Sequence, residues 1–195
     1  MNPAIIGKAA SQALVNWYNS SDAAHKIIIR HACIGGAIVL IPLPVVGEVA
    51  VIANQIWMYR ELNKLTGVKF SENVLKCIGK FIVSQVAGVL GGVFAVLAGV
   101  AVAKCIPGLN FVAGFIAAPA AGVANYVCGK VYYEMLGGYI RNCGDNNLSD
   151  DEIIRRMKAG MVTDDKIREM QSEAKKDMKD ADYAAYKDDA KKVAK

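Results

Sequence analysis

Residues 81–103 read FIVSQVAGVLGGVFAVLAGVAVA, and residues 105–129 read CIPGLNFVAGFIAAPAAGVANYVCG, with Lys104 alone between them. Neither stretch holds a charge. An α-helix rises about 1.5 Å per residue, so the arms reach roughly 34 Å and roughly 37 Å, against about 30 Å of hydrocarbon in a bilayer. Ala87, Gly91, Ala95, Gly99 and Ala103 recur every four residues in the first arm, and Ala113, Ala117 and Ala121 do so in the second. Small residues at this spacing form a groove that lets two helix backbones approach closely, the usual means of association in lipid. The pair therefore reads as an apolar helical hairpin that turns at Lys104–Gly108, each arm long enough to span. The competing reading is a tightly packed soluble core, because Ala is also the best helix former.

A second, shorter hairpin precedes it. A helix from Ala23 to about Ile41 is stopped by Pro42-Leu43-Pro44, since proline removes a backbone donor and crowds the preceding turn. The next helix starts at Pro44 and ends at Gly67, the residue type favoured just past a helix end. These arms are too short to span, so the first hairpin dips in and returns. Upstream, Ile5, Ile6, Ala9, Ala13, Leu14 and Trp17 make residues 3–20 an amphipathic helix. Ser71 is an N-cap for the helix that leads into the long hairpin. Beyond it, Ser149-x-x-Glu152 is a capping box, Gly160 a stop and Thr163 a cap for a last helix running toward the C-terminus. The expected fold is all-α, in three segments: an amphipathic helix at 1–22, an apolar membrane-associated domain at 23–148, and a charged helical tail at 149–195.

Charge follows the same division. Residues 1–148 carry eleven Lys/Arg and six Asp/Glu, whereas residues 149–195 carry twelve of each. The basic excess lies in small groups beside apolar runs, as anionic lipid attracts, and forms no basic stripe with stacking aromatics, so nucleic acid is not an expected partner. Lys26, Arg30 and His31 precede the first run, and Arg60, Lys64, Lys69, Lys76 and Lys80 separate the two. The positive-inside rule then puts both termini in the cytoplasm, at a bacterial inner membrane. Trp57, Tyr59, Phe70, Phe81, Tyr126, Tyr132 and Tyr133 fall near the boundaries, where an aromatic belt is expected. The five cysteines have long gaps and no C-x-x-C, and read as buried reduced thiols.

Candidate chemistry is sparse. No phosphate-binding loop, H-E-x-x-H or C-x-x-C occurs, and the two histidines, His25 and His31, are six apart, off the spacing of a shared ligand face. Both read as interfacial or solvated. No catalytic, cofactor-binding or metal-binding residue is expected. Glu48 is the notable ionisable group, with Gln55 on its helix face and Asn125 in the long hairpin as further polar positions in apolar surroundings. It reads either as an intramembrane polar cluster or as a first-turn acid on the helix dipole. Ile167, Met170, Ala174, Met178, Ala181 and Ala185 draw a narrow apolar stripe along the tail, as in a helix resting on its own domain.

Ile41-Pro42-Leu43-Pro44 with Glu48, Gln55, Met58 and Arg60, then Leu65-Thr66-Gly67-Val68 with Phe70-Ser71, resembles the bacterial domain family of unknown function numbered six-nine-seven, which includes the YcjF-like proteins. Ile106-Pro107-Gly108 and Gly129-Lys130-Val131-Tyr132-Tyr133-Glu134 with Gly137-Gly138 resemble its second half, so the likeness covers about residues 24–140. It implies a membrane-associated helical domain of the kind fused to, or encoded beside, Era-like or dynamin-like GTPases. The chain itself has no GTPase domain, so a GTPase would be a partner in trans. The function expected is a non-enzymatic, self-associating membrane scaffold or remodelling component. The alternatives are an oligomeric channel lined by Glu48, Gln55, Asn110 and Asn125, and a soluble helical module whose apolar arms are buried between subunits.

Overall fold

The computed structural model describes residues 3–41, 46–103, 110–142 and 148–193, the side chains of 3–9, 46–49, 100, 102 and 110–112 excepted. The fold is all-helical, and the described residues contain no strand. The helices are α1 (Pro3–Asn19), α2 (Ser21–Val39), α3 (Val46–Thr66), α4 (Glu72–Val89), α5 (Gly91–Ala103), α6 (Asn110–Asn142), α7 (Asp150–Ala159), α8 (Asp164–Asp177) and α9 (Lys187–Val193), with a 3-10 turn at Tyr183–Tyr186 before the last.

Several ends follow the local chemistry. Ser71 Oγ accepts from the Val74 amide at 3.2 Å, and Thr163 Oγ1 from the Lys166 amide at 3.4 Å, each satisfying a first-turn donor. Gly67, at φ 77°, takes the left-handed conformation that closes α3 without a Cβ penalty. Ser149 caps α7 through the Glu152 amide, but the Glu152 carboxylate turns to Arg155 and Arg156 instead of completing the box. The tail is not one helix from Thr163 onward. α8 stops at Asp177, and Asp182 Oδ1 accepts from the amides of Ala184 and Ala185 to start the 3-10 turn.

The long first arm is likewise broken. α4 ends at Val89, α5 begins at Gly91, and the two axes meet at 102°. Leu90 occupies the corner with φ −102° and ψ 36°, donating to the Val86 carbonyl while its own carbonyl receives the Val93 amide. Gly88, Gly91 and Gly92 surround it, and glycine-rich stretches have the weakest hold on a helix. Its side chain is buried, which fixes the corner on the core. Thirteen residues of α5 reach only about 20 Å, short of a bilayer. No single described helix is long and apolar enough to cross a membrane, so the expected pair of full spans is corrected.

α6 is the axis of the molecule and packs most extensively on α2. The contact is close because glycines line it. A Cβ at Gly35 would collide with Asn125, and one at Gly36 would meet the Ala118 carbonyl oxygen at 2.9 Å. One at Gly114 would meet the Val39 carbonyl oxygen at 2.9 Å, and one at Gly129 the Met58 sulfur at 2.8 Å and Ile28 beyond 3 Å. The lower half of α6 fills the core through Tyr126, Val127, Val131, Tyr132, Met135, Leu136 and Tyr139. The tail joins that core: Ile153 and Met157 of α7 and Ile167, Met170 and Ala174 of α8 are buried in it, so the stripe read from the tail faces its own domain as far as Met178, while Ala185 is exposed in the 3-10 turn. Tyr183 lies in the notch that Gly36 and Gly122 leave between α2 and α6, which lays the tail across α2.

These contacts set opposite expectations for two glycines. Gly129→Leu forces a side chain into Met58 and Ile28 and should destabilise by about 1–3 kcal/mol. Gly99→Ala fills open space inside a helix and should be neutral or stabilising by up to about 1 kcal/mol. Denaturant unfolding followed by circular dichroism measures both.

Candidate membrane-contact site

α2 runs toward one end of the bundle, α3 away, α4 toward it again, and α5 crosses there before α6 descends. The segments that meet at this end are the last turns of α2, the first of α3, the last of α4, α5 and the first of α6. Apart from Glu48, whose side chain lies outside the described ones, and Lys104, outside the described residues, these segments carry no charge of their own; the charged α9 lies against the last turns of α2 and the start of α3, where Ala190 packs with Ala37, Ile38 and Ala50. Phe115 and Ile116 are 63% and 62% exposed on the first turns of α6, and Val96 and Ile52 are also exposed. Pro119 follows on the same stretch; its missing N–H leaves the Phe115 carbonyl without its helical donor. Two adjacent large apolar side chains so open to solvent, beside an uncharged helix, are what membrane or protein contact surfaces display.

Along α4, charge begins where this end stops. Lys80 and Lys76 are the first cations below it on α4, with Lys158 lying over the Phe81 ring at 5.2 Å. On the other flank Lys175 and Lys179, with Asp182 among them, stand with Phe115, Pro119 and Leu40 around a cavity of about 430 Å³. Lysines so placed can keep their stems against apolar surface and their ammonium groups in water.

The small-residue ladder divides between its arms. Ala113, Ala117 and Ala121 are buried, on the helix that packs on both α2 and α5. Gly91, Ala95 and Gly99 are exposed, a Cβ at Gly91 or Gly99 would meet nothing within 4 Å, and Ala87 and Ala103 are half-buried. The two ladders therefore do not nest against each other within the chain. The missed partner is α2: Gly35 and Gly36 were legible as a small pair but lie in another hairpin. Of the motif residues carrying the family resemblance, Gly129 is the tight contact described above, while Pro42, Pro44, Pro107 and Gly108 lie outside the described residues.

Gln55 and Asn125 do not share a path. Gln55 faces a groove between α3 and α4, whereas Asn125 is buried between α6 and α2. Asn125 Nδ2 donates to the Ala121 carbonyl at 2.9 Å, and Asn54 Nδ2 donates to Asn125 Oδ1 at 3.4 Å and to the His31 carbonyl at 2.9 Å. His31 Nδ1–H donates to Asn54 Oδ1 at 2.8 Å. His31 is fully buried rather than interfacial or solvated, its ring edge-on to Trp57 with centroids 4.9 Å apart. Arg30 bridges to Glu61, which also lies 3.6 Å from His31 Nε2. This polar knot ties α2, α3 and α6 together. Asn54, missed by sequence reasoning, is its hub; its only signal was a polar residue beside Gln55 in an apolar run.

The aromatic belt also gives way. Tyr59, Tyr126 and Tyr132 are buried in the core, with Tyr59 stacked on Tyr132 at 3.9 Å and Tyr132 O–H donating to Asn63 Oδ1 at 2.7 Å. Cys33 and Cys128 are buried free thiols, as expected, and Cys77 is a half-buried one. One group could hold a metal ion by geometry, His25, Glu173 and Asp177, whose ligand atoms lie within 4.8 Å of one another. Lys130 Nζ already bonds Glu173 at 2.9 Å and Tyr126 O–H bonds Asp177 at 2.7 Å, so neighbouring donors answer both carboxylates.

The chain is similar to magnetosome membrane protein 22 of Magnetospirillum gryphiswaldense. The two are 32% identical over 134 residues, which covers 66% of this chain and 63% of that protein. No family model matches the chain, and no solved structure does.

Burial lowers the pKa of His31 from 6.5; the Asn54 hydrogen bond opposes this, Arg30 adds to it, and Glu61 opposes it. Glu61 is itself partly buried, which alone would raise its carboxyl, but the Arg30 hydrogen bond and charge hold it low. For His31 the unfolded chain takes up the proton first as pH falls through 6.5. Stability contributed by the neutral ring is therefore present above that pH and is lost toward the depressed folded pKa. The wild type should show a stability slope up to about 1.4 kcal/mol per pH unit in that window that His31→Gln lacks. Urea titrations of both proteins between pH 7 and 5 compare them.

Proposed function

We propose that the chain is a non-enzymatic, membrane-associated helical protein that inserts α5 and the first turns of α6 into one leaflet, leaving the lower bundle and the tail in water. The observation that carries this reading is the uncharged stretch of α5 and the first turns of α6 with Phe115 and Ile116 open on it, flanked by Lys80, Lys175 and Lys179. Insertion removes those side chains from water at about 1.5–3 kcal/mol each, and the lysines meet anionic headgroups at about 1 kcal/mol apiece. The 102° corner at Leu90 favours a re-entrant insertion over a crossing. The similar magnetosome protein is by its name a membrane protein, which supports the same reading.

The role at the membrane is scaffolding or remodelling, with self-association through the outward ladder of Gly91, Ala95 and Gly99. Its open backbone offers a second copy the close approach that α6 already makes with α2. A GTPase acting in trans, and a bacterial inner membrane with both termini on the cytoplasmic side, complete the proposal. The GTPase rests on the family resemblance and the topology on charge placement.

Vesicle flotation of the full chain tests the insertion. The wild type should float with phosphatidylglycerol-containing vesicles, and Phe115→Asp/Ile116→Asp should weaken binding by more than about tenfold. A tryptophan replacing Phe115 should be quenched by brominated acyl chains. Wild-type protein that stays monodisperse without detergent and leaves every vesicle behind would end this reading.

A further inference from the structure

A groove of about 440 Å³ runs between α3 and α4, within the size of small-molecule sites. Its walls are Ile52, Ile56, Tyr59, Leu75, Gly79 and Val83, almost entirely apolar. Gly79 keeps it open: a Cβ there would already touch the Tyr59 ring at 3.4 Å, so any larger side chain would occupy the space. Three polar groups open onto it. Gln55 is 5% exposed and makes no hydrogen bond among the described residues, its amide opening onto the groove. Lys80 makes no ion pair among the described residues, and Lys76 bonds Glu72 at 2.7 Å on the exposed face of α4.

The order of these groups along the groove matters. α3 and α4 are antiparallel, with Tyr59 beside Gly79. Lys76 and Lys80 therefore stand at the end away from α5, Gln55 comes about one turn nearer, and Ile52 and Val83 lie at the uncharged end. From Lys80 to Leu90 is about 15 Å of helix, the depth of one leaflet. Cation, amide donor and apolar channel thus succeed one another in the order in which a phospholipid of that leaflet presents its phosphate, its ester carbonyl and its acyl chain.

We propose that the α3–α4 groove binds one anionic phospholipid of the host leaflet, with the phosphate at Lys80 and Lys76, an ester carbonyl accepting from the Gln55 amide, and one acyl chain along Ile52 and Val83. The inference rests on the membrane reading above and adds a stoichiometric lipid site to it. A charge of the right sign stands only at the headgroup end, which selects an anionic lipid over a zwitterionic one of the same chain length. The Gln55 amide, which no described protein group engages, supplies the donor at the level of the ester.

Native mass spectrometry of the full chain from dodecyl maltoside micelles doped with phosphatidylglycerol reads this directly. One phosphatidylglycerol should survive collisional activation that strips the micelle, while phosphatidylcholine of the same chains and inorganic phosphate should not be retained. Lys76→Gln/Lys80→Gln should reduce retention by about tenfold or more, since each lysine near a phosphate contributes about 1 kcal/mol. Gly79→Leu, which fills the groove with both lysines intact, should do the same. Ser84→Trp, at an exposed position on the rim, blocks the groove with less demand on folding. Lys166→Gln/Lys192→Gln, at positions that do not line the groove, should retain the lipid like wild type. No retained lipid in the wild type, or equal retention in the lysine and groove variants, would overturn the inference. Vesicle flotation of the same proteins is scored separately: wild type that floats but holds no lipid sinks the groove alone, whereas wild type that never floats sinks the membrane reading.

Discussion

The close approach of α6 to α2 is the constraint on which the other contacts rest. Gly35, Gly36, Gly114 and Gly129 leave no room for side chains between these helices, and backbone atoms or core residues take the space instead. That proximity places Asn125 within reach of Asn54, and so lets His31 share its hydrogen bonds across three helices. It also cuts the notch in which Tyr183 lies, so the tail is held by the same glycines that hold the core. Buried polar groups arranged this way are costly when half satisfied and specific when complete. The His31–Asn54–Asn125 knot fixes the registers of α2, α3 and α6 in a core that alanine and glycine alone would leave free to slide.

The molecule is also polarised along its length. Within α2, α3, α4 and α6 the core tyrosines gather toward one end and uncharged small residues toward the other, where the charged tail helix α9 lies against α2 and α3. The division cuts across the chain order, because α2, α3, α4 and α6 each contribute a polar half and an apolar half. Composition by segment could therefore find an apolar domain but not an apolar end.

What could be read from the residues were the local decisions. Ser71, Thr163, Ser149 and Gly67 each act through atoms a few positions away, and each does what its neighbourhood dictates. The all-helical class followed from the same patterns. The 23-residue arm misled because counting charges does not register that Gly88, Gly91 and Gly92 loosen the helix around a leucine that a distant core can capture. The ladder misled for a related reason. Four-residue spacing identifies a face able to pack, but not which helix will meet it, and α2 lay 80 residues away. The tyrosines and His31 were assigned by their place beside apolar runs, whereas their burial is set by α6 passing through the centre. Gln55 was legible as a polar residue in apolar surroundings; that it faces a groove while Asn125 faces a knot depends on helix rotations that no short-range signal carries.

The buried corner at Leu90 has a mechanical consequence. On the proposed reading, the chain takes up area in one monolayer and none in the other, so the host bilayer's thickness is nearly irrelevant to it. Its bending is not: a body that spreads the lipids of a single face finds more room where that face is convex, and many copies side by side would push a flat sheet toward that shape.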